Sequence, residues 1–177
     1  MPNGSPETFE PATGDGPGAP GAARAAEVRT AFESLLQIRR LTGGGDTSAP
    51  APWERFRMVR AVSLALEASG FPPSAVDSSG RRTATGYRVR AGDRPALVLV
   101  DWLGPPGSAA AHEETPRLTA CAAALTDLGW EALLYKGPRG RRFLEVGIPP
   151  PFPLRPAAPG ESPFPQPGAT PRTPGTA

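Results

Sequence analysis

Proline and glycine are distributed so unevenly along this chain that they confine its foldable part to the middle. The 177 residues include 25 Pro and 21 Gly, and most of these fall within residues 1–21, 43–52 and 149–177. Segments of this composition bury too little apolar surface to offset the entropy lost on ordering them. We therefore predict disordered tails at 1–21 and 149–177, a flexible connector at 43–52, and a folded domain at 53–148.

Residues 22–42 are predicted to form an amphipathic helix. Apolar residues recur there at steps of three and four from Val28 to Leu41, and Gly43 follows as a terminator. Two interpretations remain open at this stage. The helix docks on the domain, or it is a detachable arm that binds a partner, because the connector separates it from the rest of the chain.

The pattern between residues 53 and 148 predicts an α+β domain. The expected elements, in order, are a helix at 53–69, strands at 84–90 and 96–102, a helix ending near 128, and strands at 130–136 and 141–148. The second helix begins at Thr115 or, alternatively, nearer Ser108. Short hairpins make each strand pair antiparallel, and an apolar helix face must cover one side of the sheet. We predict a two-layer sandwich with an antiparallel sheet and an additional N-terminal helix.

Cysteine usage and hydropathy patterning limit the cellular setting. One cysteine excludes an intramolecular disulfide framework and a cysteine-based zinc cluster, and it fits a reducing compartment. The N-terminus has no basic region followed by an apolar one, and no apolar run approaches about 20 residues. A net charge of +2 is too small to imply a nucleic-acid or membrane partner. We expect a cytoplasmic protein with no membrane partner.

Three residues have side chains that serve in catalysis elsewhere, namely His112, Cys121 and Asp101. His112 stands alone beside two glutamates, and we expect it at an exposed helix start. Cys121 lies on an apolar helix stripe, which favours burial, and Asp101 is predicted to face outward and pair with an arginine. The chain also lacks a phosphate-binding glycine loop and a nucleophile elbow. The sequence therefore predicts a protein that is not an enzyme and has no metal or cofactor.

Arginines of the two hairpins, with two aromatic residues, form the candidate interaction surface. The candidates are Arg81, Arg82, Arg88, Arg90, Arg139, Arg141, Arg142, Tyr87 and Trp102. Tyr135 of the second hairpin is a further stacking candidate. Basic side chains interleaved with aromatic ones are typical of single-stranded nucleic-acid surfaces. The same strands also carry acidic residues. In addition, the bias toward Ala, Gly, Pro and Arg is typical of GC-rich coding, which raises the number of arginines without a functional reason. The alternative is therefore an ordinary solvated sheet face with charges of both signs.

The C-terminal tail offers one short recognition pattern. Residues 150–155 have the proline-x-x-proline-x-arginine spacing that groove-type domains recognise, although such spacing arises by chance in a segment this rich in proline. Taken together, these features predict a non-catalytic protein-interaction domain, an adaptor or regulatory subunit whose partner is another protein. The alternative is a nucleic-acid-associated accessory protein that uses the hairpin arginines.

Overall fold

A computed structural model describes residues 9–18 and 20–150. Helices and antiparallel sheets together confirm the predicted α+β class. The elements, in chain order, are α1 (Ala22–Thr42), α2 (Pro52–Phe56), α3 (Met58–Ala68), β1 (Ala75–Val76), β2 (Arg82–Ala84), β3 (Gly86–Ala91), β4 (Val98–Leu103), α4 (Ala110–Asp127), β5 (Glu131–Lys136) and β6 (Arg142–Gly147). A 3₁₀ turn, Pro138–Gly140, joins β5 to β6.

The main sheet has four antiparallel strands in the order β3-β4-β6-β5, and β1 pairs with β2 in a separate two-stranded sheet. Because side chains alternate along a strand, those of β3, β4 and β6 form a buried row on one side of the sheet and a more exposed row on the other, whereas the edge strand β5 has no buried side chain. Val89 of β3 lies opposite Val100 of the central strand β4, and Val100 lies opposite Leu144 of β6. All three side chains are buried. We call this side of the sheet the inner face and the other side the outer face.

Helices α3 and α4 cover the inner face. Their buried side chains form one core with the inner-face residues of the strands, and this core includes Val62, Leu66, Leu118, Cys121, Leu125, Tyr87, Trp102, Trp130 and Val146. Helix α4 begins at Ala110, which agrees with the alternative start nearer Ser108 and leaves Pro116 inside the helix.

Helix α1 is docked on the domain and packs against α3. Val28 and Leu35 of α1 are buried in a second cluster with Leu64 of α3. The apolar stripe predicted for α1 is only partly used, because Leu41 at its end is 85% exposed. Arg39 is buried instead and forms a bidentate ion pair with Glu54 of α2, at 2.7 Å from Nε to Oε1 and 2.8 Å from Nη2 to Oε2. The docked arrangement weighs against a detachable arm.

The single helix predicted at 53–69 is two helices in the structure. Arg57, with φ −128° and ψ 47°, separates α2 from α3. Helical spacing across 53–69 places Phe56 on the apolar side of a single helix and Glu54 on the opposite side, but Phe56 is 89% exposed and Glu54 is fully buried. The reason is that the Glu54 carboxylate accepts hydrogen bonds from the Ala51 backbone N–H at the start of α2 and from Arg39.

Residues 9–18, which composition predicted to belong to a disordered tail, lie against β1, β3 and α3. The Val89 N–H donates to the Thr13 carbonyl at 2.7 Å, and the Val76 N–H donates to the Gly16 carbonyl at 3.0 Å. Gly14 has φ +91°, and a β-carbon there would overlap the Tyr87 carbonyl oxygen. Backbone hydrogen bonds to a preformed strand therefore order a segment that has little apolar surface of its own.

The connector at 43–52, predicted to be flexible, forms a turn that packs on the end of α4. Asp46 accepts hydrogen bonds from the Ser48 N–H at 2.8 Å and the Ser48 hydroxyl at 2.7 Å, and Ala51 is buried. Gly129 follows α4 with φ +85°, and a β-carbon on it would overlap the Ser48 carbonyl oxygen. The connector is therefore held by local side-chain hydrogen bonds and by close backbone contact.

Replacing Gly129 with alanine tests this close contact. Gly129 and Gly70 occupy equivalent positions after α4 and α3, with φ values of +85° and +83°, but a β-carbon on Gly70 would meet no atom within 4 Å. We expect Gly70→Ala to cost about 1–2 kcal/mol from left-handed backbone strain alone, and Gly129→Ala to cost more. Urea denaturation of both variants measures the difference, and equal losses would contradict the packed connector.

Removing one member of the Arg39–Glu54 pair tests the docking of α1. Glu54→Ala leaves a buried guanidinium without its carboxylate, and we expect a loss of about 3–5 kcal/mol in the free energy of unfolding. Asp93→Ala, which removes a carboxylate from the exposed pair with Arg94, is the control and should leave stability unchanged within error. The double variant Arg39→Met, Glu54→Leu should recover only part of the loss, because it leaves the Ala51 N–H and the Leu128 and Thr47 carbonyls without these partners. A loss no larger than the control's would refute the role given to this pair.

Candidate interaction surface

The outer face of the main sheet is the candidate site, because no described helix packs on it. Strand alternation places ten non-glycine side chains there. They are Arg88, Arg90, Leu99, Asp101, Leu103, Glu131, Leu133, Tyr135, Phe143 and Glu145. Ionic side chains lie mostly toward β3 and apolar ones toward β5, so the outer face has a charged half and an apolar half.

The charged half is organised around Asp101. Its Oδ2 atom accepts from Arg88 Nη2 at 2.6 Å and from Arg90 Nε at 3.0 Å. Arg88 lies directly across from Asp101 in the β3–β4 register. The prediction that Asp101 faces outward and pairs with arginine is confirmed. Two guanidinium groups shared by one carboxylate leave a local excess of positive charge, part of which is open to solvent because the Arg90 side chain is 42% exposed.

The apolar half lies at the β5 side of the outer face. Tyr135 and Phe143, paired across β5 and β6, stack with ring centroids 6.0 Å apart and an interplanar angle of 23°. Tyr135 is 41% exposed and Leu133 is 46% exposed. Leu99 of β4 and Leu133 both lie opposite Glu145 of β6, so they flank this carboxylate on the same face. Exposed aromatic and aliphatic groups next to charged ones resemble the core and rim of a protein–protein interface.

The remaining predicted arginines do not join the outer face. Arg82 lies on β2, where it donates to Ser74 Oγ at 2.9 Å and pairs with Asp15. Arg81 pairs with Asp77 at 3.5 Å within its own loop. Arg141 Nε pairs with Glu114 Oε1 of α4 at 2.6 Å.

Two further hairpin arginines lie at the β5–β6 turn. Arg139 is in the 3₁₀ turn with φ +59°, and Arg142 lies opposite Lys136 at the start of β6. The structure thus distributes the predicted arginines over several local carboxylates and elements, and only Arg88 and Arg90 belong to the outer face.

Tyr87 and Trp102 were predicted as surface aromatics, and this prediction is wrong. Both are fully buried on the inner face, at 0% and 1% exposure, where they lie opposite each other in β3 and β4. The Tyr87 hydroxyl donates to the Ala12 carbonyl at 2.9 Å. The alternation of Tyr87 and Val89 against Arg88 and Arg90 already contained this information, because successive residues of a strand point to opposite faces. Tyr135, the third stacking candidate, is 41% exposed on the outer face, and the same alternation would have identified Phe143 as its neighbour.

The other candidates for chemistry occupy separate places. His112 is exposed in the first turn of α4, on the inner-face side of the sheet, whereas Asp101 is on the outer face. Cys121 is fully buried, as predicted. Within residues 9–18 and 20–150, no group of three or more His, Cys, Asp or Glu side chains is arranged to hold a metal ion. The proline-rich pattern at 150–155 lies outside the described residues except for Pro150.

The structure also contains a groove that the sequence did not predict. It has a volume of about 830 Å³ and lies between the first half of α1, the end of α3 and the loop after α3. Val28, Phe32 and Phe71 line it, together with an ion pair between Arg24 Nε and Glu67 Oε1 at 2.7 Å. Because these two charged groups satisfy each other, they do not provide free groups to orient a ligand.

Burial of Cys121 and Tyr87 predicts alkaline destabilisation. Burial raises the pKa of the Cys121 thiol from 9.0 to about 12 and raises the pKa of the Tyr87 hydroxyl well above 10.0. The folded protein therefore retains protons that the unfolded chain releases, so the free energy of unfolding should fall as pH rises above about 9. Thermal unfolding from pH 7 to 11 measures this fall, and Cys121→Ala should make it shallower.

A thiol reagent at pH 8 should label Cys121 only in denaturant, and fast native labelling would contradict the burial.

The chain was compared with known proteins in three ways. Protein-family models, curated protein sequences and solved structures gave no match. In the part of the chain that the structure describes, no helix is both long and apolar enough to cross a membrane. Function is therefore inferred from the geometry and chemistry of the outer face.

Proposed function

We propose that this chain is a non-catalytic protein-interaction module, an adaptor or regulatory subunit of the cytoplasm, which binds another protein through the outer face of its main sheet. The observation that carries the proposal is the exposed apolar half of this face, with Tyr135 stacked on Phe143 and Leu133 beside them. Contact with water is unfavourable for large exposed apolar side chains, and a partner that covers them lowers the free energy of the system.

The charged half supports a protein partner because its fixed charges can orient a bound protein on the surface. Arg88 and Arg90 converge on Asp101 at one side of the apolar groups, and Glu145 lies within 3.6 Å of Arg94. Fixed charges of both signs around an apolar centre favour one orientation of a partner and reject others. Helix α1, the other surface considered from sequence, is held by the buried Arg39–Glu54 pair and is less suited to act as a separate arm.

The nucleic-acid alternative has weaker support. Single-stranded nucleic acid is bound by basic grooves with exposed aromatic side chains on which bases stack. Tyr87 and Trp102 are buried, and Arg82, Arg88, Arg90 and Arg141 each pair with a carboxylate. Paired arginines release fewer counterions on binding phosphate, so they contribute less affinity.

Site-specific photo-cross-linking tests the proposed surface. Phe143 on the outer face and Phe56 on α2 are each replaced by a photoreactive phenylalanine derivative in the full chain, expressed in cells of its natural host. Phe56 is the matched control because it is the same residue type and is 89% exposed. We expect one discrete cross-linked product with a different protein from position 143 and none from position 56.

Side-chain truncation then shows whether this contact contributes to binding affinity. Tyr135→Ala, combined with the probe at position 143, should lower the yield of that product about tenfold, because buried aromatic anchors cost more than about 1 kcal/mol when truncated. Leu41→Ala, at an 85% exposed position of α1, should leave the yield unchanged. Equal products from positions 143 and 56, or cross-links to nucleic acid alone, would refute a protein partner at the outer face.

A further inference from the structure

The two edge strands of the main sheet differ in backbone pairing: other segments of the chain pair with the free side of β3 but not, within the described residues, with that of β5. On the β3 edge, the Ser74 N–H donates to the Tyr87 carbonyl at 2.8 Å, the Tyr87 N–H donates to the Pro72 carbonyl at 3.0 Å, and Val89 pairs with Thr13. Strand β5 forms the opposite edge and pairs on one side with β6. Within the described residues, nothing pairs with its other side.

Strand β5 has the properties of an edge that another strand can extend. Its six residues pair with β6 in unbroken register, and it contains neither proline nor a bulge. Three consecutive large side chains are exposed on it, Leu133 at 46%, Leu134 at 37% and Tyr135 at 41%. Proteins normally protect an edge with lysine, proline or a bulge in mid-strand. The only charges of β5 are at its ends, Glu131 and Lys136.

The rest of this chain is poorly suited to supply the missing strand. Proline lacks the N–H that a β-ladder needs, so it is confined to strand ends, edges and bulges. Residues 151–177 contain no run of more than three residues without proline, and residues 1–8 contain Pro2 and Pro6. A ladder matching the six residues of β5 cannot be built from either segment. A second copy of the chain can supply such a strand, because β5 itself is a proline-free strand of matching length.

We propose that β5 pairs antiparallel with β5 of a second copy of this chain and joins the two sheets into one of eight strands. The charges at the strand ends favour the antiparallel direction, because Glu131 and Lys136 lie at opposite ends of β5 and neither then lies opposite a like charge of the other copy. A parallel arrangement would place like charges together. A two-fold axis perpendicular to the sheet makes the contact isologous and closed, as in most homodimers.

This geometry also pairs the exposed apolar side chains. With the two-fold axis at Leu133, the two Leu133 side chains lie opposite each other on the outer face. With the axis at Leu134, the two Leu134 side chains do so on the inner face. With the axis at Leu134, Leu133 of each copy also lies opposite Tyr135 of the other on the outer face, so all three exposed apolar side chains of β5 meet apolar partners. With the axis at Leu133, Tyr135 lies opposite Glu131 and Leu134 lies opposite Ala132.

Measuring the mass of the purified full chain tests the proposal. Light scattering after gel filtration at about 100 μM should give twice the 18.4 kDa chain mass. Leu133→Lys places a lysine in mid-strand, as natural edges do, and should weaken the dimer at least tenfold. Leu41→Lys makes the same substitution at an 85% exposed position of α1 and should leave the dimer intact. A wild-type chain that is monomeric at this concentration would overturn the proposal, as would a dimer indifferent to Leu133→Lys.

Disulfide trapping tests the same contact without depending on the stability of the lysine variant. A cysteine at the residue on the two-fold axis lies opposite its own copy, at a Cβ separation that a disulfide spans. Oxidation of Leu133→Cys or Leu134→Cys should give a covalent dimer, whereas Leu41→Cys should not. The buried Cys121 should not interfere. If neither β5 variant forms a covalent dimer more readily than Leu41→Cys, β5 is not the contact. These purified-chain results are independent of whether a different protein binds the outer face.

Discussion

The buried ion pair of Arg39 and Glu54 holds together parts of this fold that are far apart in sequence. Arg39 also donates to the Leu128 carbonyl at 2.6 Å and to the Thr47 carbonyl at 3.0 Å. One guanidinium thus joins the end of α1, the connector, the start of α2 and the end of α4. A buried charge is stable only when its hydrogen-bonding groups are satisfied. The pair therefore favours the one arrangement in which all four elements meet, and this makes α1 an integral part of the domain.

The same physical principle explains why residues 9–18 are ordered. The Glu67 carboxylate of α3 accepts from the Ala12 N–H at 3.0 Å and from Arg24 of α1 at 2.7 Å. The buried Tyr87 hydroxyl donates to the Ala12 carbonyl at 2.9 Å. These groups are fixed by the helices and the sheet, so the segment needs little apolar surface of its own. Composition reflects only the apolar surface that a segment carries, so it does not predict ordering of this kind.

Periodicity predicted most of what depends on neighbouring residues. The antiparallel strand pairs and the burial of Cys121 follow from alternation and helical spacing. Features that depend on distant partners did not follow. Glu54 is buried because Arg39, fifteen residues earlier, reaches it. The outer face was predicted only in part, because arginines of both hairpins were grouped without asking which alternate positions share a side. Arg88 and Arg90 belong to it, whereas Arg82 pairs with Asp15 on another sheet.

The asymmetry of the sheet connects the two proposals. On the β3 side, backbone hydrogen bonds and ion pairs to the chain's own segments already satisfy the edge. On the β5 side, the edge and the adjoining apolar half of the outer face have no such cover within the described residues. Pairing of two β5 strands would bring the apolar halves together about the two-fold axis and leave Arg88 and Arg90 of each copy at the far sides. A partner would then meet one continuous apolar surface with charged ends, and two linked copies would bind it with greater avidity than one.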